Sequence, residues 1–65
     1  MKIRPDAIKL LLEKRGYDMK ELAEGIGFQY QTIRMIFYRK STKNSTARKI
    51  AEFLNCSIDE IRKEG

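Results

Sequence analysis

Apolar residues recur three and four positions apart along most of this 65-residue chain, a spacing that predicts helices. Ile8, Leu11 and Leu12 form the first stripe. Pro5 suits a first helical position, where its missing N–H is not needed, and Asp6 suits the positive end of the helix dipole. The pattern predicts a helix over residues 5–15, closed at Gly16. Asp18 reads as the N-cap of a second helix with Leu22, Ala23 and Ile26 inward, and Gly27 as the left-handed residue that ends it.

A third helix is expected from Gln29 or Tyr30 to about Tyr38. Ile33, Ile36 and Phe37 share its inner face, leaving Tyr30, Gln31, Arg34 and Met35 outside. The polar run "RKSTKN" has no periodic apolar residue and reads as a loop. Asn44 or Ser45 is the expected cap of a fourth helix whose buried face is Ala47, Ile50, Ala51 and Leu54. Asn55 suits a left-handed C-terminal position, and "SIDE" is a capping box that opens a short fifth helix with Ile58 and Ile61 inward. The expectation is an all-α, compact five-helix fold, one domain over residues 1–65, with no strand.

Composition narrows the function. Hydrophobic residues at 42% and charged residues at 35% suit a soluble globular domain, although 65 residues is near the lower limit for a self-sufficient core. No apolar run approaches the roughly 18 residues of a membrane span, and "MKIRPD" is unlike a secretory signal, so a cytoplasmic protein without membrane contact is expected. The chain has one cysteine and no histidine, which removes an internal disulfide, the commonest general base and the commonest zinc ligand. Neither an enzyme nor a metal or cofactor site is expected, and Cys56 reads as a packing residue. The net charge of +5 is unevenly placed: residues 28–49 hold Arg34, Arg39, Lys40, Lys43, Arg48 and Lys49 and no acid. An anionic partner follows, because a face kept basic merely for solubility does not explain acids confined to the flanks.

The second and third helices, with a tight turn at Gly27 between them, have the layout of a helix-turn-helix, in which one helix braces another that enters the major groove. Ala23 supplies a small residue where the helices cross. Over "ELAEGIGFQYQTIRMIFYRK" and "IAEFLNCSIDEI" the chain resembles the Cro and phage-repressor type of helix-turn-helix, often called the XRE family. The resemblance spans residues 8–61 and includes the "EKRG" end of the first helix. It implies double-stranded DNA as partner, a role in transcription regulation, and a homodimer on a symmetric operator.

By position, the resemblance assigns base reading to Gln29, Tyr30, Gln31 and Arg34, and backbone contacts to Arg39, Lys40, Lys43 and Asn44. Departures from the family pattern modify this. Met19 stands where a phosphate-contacting Gln is common, and Gln29 stands where Ser or Thr usually caps the third helix. Leu12 and Phe37 occupy the positions of a family ion pair and are expected to be buried together instead, since apolar residues of similar volume avoid the desolvation penalty. Gly25 inside the second helix is unfavourable by about 1 kcal/mol against Ala unless close packing needs it. So small a domain is expected to act as a weak, DNA-assisted dimer, meeting around Asn55, Cys56 and Ile58. The rival reading is a protein-interaction module of the same fold, antitoxin-like or anti-repressor, with Tyr30, Met35 and Tyr38 as its contact.

Overall fold

The computed structural model describes residues 1–64 and contains four α-helices: α1 Pro5–Lys14, α2 Met19–Ile26, α3 Tyr30–Arg39 and α4 Asn44–Leu54. Their inward stripes form one core of Ile8 and Leu12 from α1, Leu22 and Ala23 from α2, Ile33 and Phe37 from α3, and Ala47, Ile50, Ala51 and Leu54 from α4. Leu12 and Phe37 are both buried in that core. α2 packs against α3 and α4 and also meets α1, so the brace of the motif lies at the middle of the fold.

The helices end by shared chemistry. Gly27 adopts φ 78°, which lets the Phe28 N–H reach back to the Ala23 carbonyl at 2.8 Å and satisfies an otherwise orphaned acceptor. Asn55, at φ 53°, closes α4 in the same way through a 3.0 Å bond from the Cys56 N–H to the Ala51 carbonyl. At the start of α2, Asp18 accepts the Glu21 N–H at 2.8 Å while Glu21 accepts the Asp18 N–H at 3.0 Å. This reciprocal pair satisfies two donors that the helix itself cannot.

Two expectations are corrected. The fifth helix is a single 3-10 turn, Ile58–Glu60. The Glu60 carboxylate accepts the Ser57 N–H at 2.8 Å, as a capping box requires, but the chain beyond it is claimed by other partners. The Ile61 carbonyl accepts the Arg4 N–H at 2.7 Å, and the Lys63 N–H donates to the Lys2 carbonyl at 3.0 Å. A further helical turn would need those groups for itself. The cap of α4 is Lys43, with Asn44 already in the first turn and no side-chain cap bond, so neither Asn44 nor Ser45 is the cap.

The same bonds reveal an extended segment that helical periodicity does not announce. Ile3 is buried, its N–H donating to the Lys40 carbonyl at 3.0 Å, while Thr42 donates to the Met1 carbonyl at 2.9 Å. Isolated bridges pair Lys2 with Ser41 and Ile3 with Arg62. The segment before α1 therefore ties the loop after α3 to the segment after α4.

Gly25 also finds its reason in the tertiary structure. A Cβ there would overlap Cε1 and Cδ1 of Phe53, whose ring lies over the α2 backbone. Tyr17 also packs on that ring, with centroids 4.9 Å apart and planes tilted by 51°.

Candidate nucleic-acid interface

α3 has one buried face and one open face. At 3.6 residues per turn, Gln31, Met35 and Tyr38 fall within about 60° of one another, opposite the face of Ile33, Ile36 and Phe37, with Arg34 and Arg39 on either side. These five outer side chains line an open groove of about 440 Å³. Tyr38 is 83% exposed and Met35 53%, the two most exposed large apolar side chains among the described residues.

The start of α3 is left open as well. Gln29 is its N-cap but makes no side-chain cap bond, and the first turn holds no acid. The positive end of the helix dipole and its free N–H groups therefore face outward without a protein acceptor, an arrangement suited to an anion. α4 starts in the same manner, with no cap bond at Lys43 and no acid in its first turn. Among the described residues every ion pair belongs to Arg62, with Asp59 and Glu64, so the six cations of residues 28–49 are not neutralised by carboxylates.

The residues singled out from the sequence do not all meet. Gln31 and Arg34 share the groove, and Arg39 borders it. Tyr30 borders a hollow with Asp18, Met19 and Lys20 at the start of α2; the Lys20 ammonium and, from its own helix, the Arg34 guanidinium each lie 5.8 Å from its ring centroid. Such cation–π contacts place one positive charge from each helix of the motif against the same ring. Gln29 lies before the helix as its cap. Lys40, in the left-handed conformation at φ 57°, borders a separate hollow beside Arg4, Asp6 and Lys63. Lys43 and Asn44 are exposed at the start of α4.

Sequence reasoning passed over Lys20. The signal was present, since Lys20 follows Met19 at the start of α2, but its reach to Tyr30 depends on the angle between two helices. Lys49 is likewise placed by the fold, its ammonium 5.6 Å from the Phe28 ring centroid.

Compared with known protein families, residues 8–61 match the helix-turn-helix family. The chain belongs to that family. Its match runs from α1 through the turn after α4 and so takes in the core residues of all four helices rather than the two-helix motif alone. The helix-turn-helix domains of this Cro and repressor type are DNA-binding regulatory domains. No curated protein and no solved structure matches the chain in the corresponding searches.

Among the described residues no group of three His, Cys, Asp or Glu side chains is placed to hold a metal, and no helix is long and apolar enough to cross a membrane. Burial and, secondarily, the Glu60 carboxylate push the Cys56 thiol up from its ordinary value, against a smaller opposing pull from Arg15. A thiol held protonated is a poor nucleophile.

Proposed function

We propose that this helix-turn-helix protein is a small sequence-specific regulator of transcription that reads the major groove of double-stranded DNA with α3, in the manner of a Cro-type repressor. The observation that carries this reading is the open face of α3: an uncapped, acid-free helix start beside a groove edged by Arg34 and Arg39. In this reading Gln31 pairs through its amide with the N6 and N7 edge of an adenine, and Arg34 reaches a guanine or a phosphate. Tyr30, clasped by Lys20 and Arg34, presents a phosphate-facing edge, and Gln29 adds a contact at the helix start. Arg39, Lys40, Lys43 and Asn44 grip the backbone and set register without reading sequence.

Two copies dock on half-sites about 34 Å apart, one helical turn, and meet weakly through the surface around Asn55, Cys56 and Ile58. The exposure of Met35 and Tyr38 supports the second reading, in which the same helix face holds a protein. Fluorescence anisotropy on a labelled random duplex at rising salt separates the two. A DNA binder loses affinity steeply and linearly in log salt, whereas absence of binding even at low salt sinks the DNA reading and leaves the protein partner.

A further inference from the structure

The outer face of α3 is unusual in its make-up. A helix that serves only to hold phosphates is polar outside, yet here Met35 and Tyr38 continue the line that begins at Gln31 and form an apolar stripe along the outermost face of the helix, with Arg34 and Arg39 on its two flanks. From Gln31 to Tyr38 is seven residues, or about 10 Å of helix, which spans about three base steps. A partner of this face must tolerate Arg34 and Arg39 at the margins and must also offer apolar surface to the stripe between them. Duplex DNA does both: phosphates flank its major groove, and the thymine C5-methyl is the apolar group displayed on its floor.

Resting on the DNA-binding reading above, we propose that Met35 and Tyr38 are specificity residues that recognise thymine methyl groups, in steps adjoining the base pair read by Gln31. The Met35 thioether is flexible and polarizable and fits around a methyl without a fixed geometry. The Tyr38 ring offers a flat apolar face. The operator is therefore richer in thymine on the strand facing this stripe than a reading by Gln31 and Arg34 alone would require.

The test uses the most enriched duplex from selection of a randomised library on the full chain. Each thymine in that duplex is replaced in turn by deoxyuridine, which deletes the methyl and keeps every hydrogen-bonding group. Loss of one buried methyl should weaken binding about fourfold at one or two positions per half-site. In Met35→Ala and Tyr38→Ala that sensitivity should vanish at the matching position, while affinity for random duplex at low salt stays within about twofold of the parent. Both side chains lie outside the core, so thermal melts should superimpose and exclude unfolding as the cause. If the parent binds the selected duplex with a steep salt dependence but ignores every uracil substitution, methyl recognition is overturned and the DNA-binding reading stands. Uracil sensitivity that persists in both variants overturns it equally. If no duplex binds at any salt, both readings fall together.

Discussion

α2 and α3 are successive helices of similar length in one motif, and their starts are finished in opposite ways. Asp18 and Glu21 satisfy each other's backbone N–H groups at the head of α2, so that helix is complete without help. At the head of α3, Gln29 caps nothing and no carboxylate stands in the first turn. The same contrast continues along their length. α2 gives up a side chain at Gly25 so that Phe53 can rest against its backbone, whereas α3 turns Met35 and Tyr38 into open solvent. A helix that only braces can satisfy its donors internally. On the proposed DNA-binding reading, α3 keeps them free for an anion, and the stability forgone there has to come from the rest of the core.

The sharpest way to break this comparison is at Gln31. Gln31→Ala should weaken binding to the cognate duplex by about 1 to 3 kcal/mol and relax preference at one base pair per half-site, with non-specific affinity nearly unchanged. Parallel titrations of a cognate and a scrambled duplex check it, and equal weakening of both would move base reading to Arg34. On the α2 side, Gly25→Ala gains about 1 kcal/mol of helix propensity but forces the Phe53 ring off the backbone, an overpacking cost of about 1 to 3 kcal/mol. A net loss in urea midpoint is expected. A gain would show that Phe53 moves aside freely.

The caps themselves can be exchanged. Gln29→Asp should stabilise the fold by about 1 kcal/mol, because aspartate accepts an N–H of the first turn and favours the dipole. The same carboxylate should repel phosphate, so duplex affinity should fall as the melting temperature rises. Affinity rising in step with stability would show that the open start of α3 has no part in binding.

The smallest effect is expected at Lys40, whose left-handed backbone favours glycine. Lys40→Gly should raise stability by less than about 1 kcal/mol and lower the salt slope of duplex binding by about one phosphate contact. An unchanged slope would place Lys40 with the hollow it borders near Arg4 and Lys63 rather than with the duplex.

The sequence by itself determined whatever depends on neighbours along the chain. The stripes of Ile8 and Leu12, of Leu22 and Ala23, and of Ala47, Ile50 and Leu54 are buried as their spacing requires. Gly16, Gly27 and Asn55 take the left-handed conformation their positions announce, and Asp18 caps α2. Exposure of Gln31 and Arg34 follows from burial of Ile33 on the same helix, and the lack of acids from Phe28 to Lys49 is plain in the letters. What the tertiary structure decided are contacts between residues far apart in sequence. Ile61 gives its carbonyl to Arg4, which stops the last turn at three residues, and Phe53 fills the space that makes Gly25 necessary. Lys20 meets Tyr30 only because α2 and α3 cross at one particular angle. Periodicity and capping are local, with energies set within one or two turns. Bridges, ring packing and the convergence of charges depend on how whole elements are placed, and that placement follows from burying every apolar stripe in a single core at once.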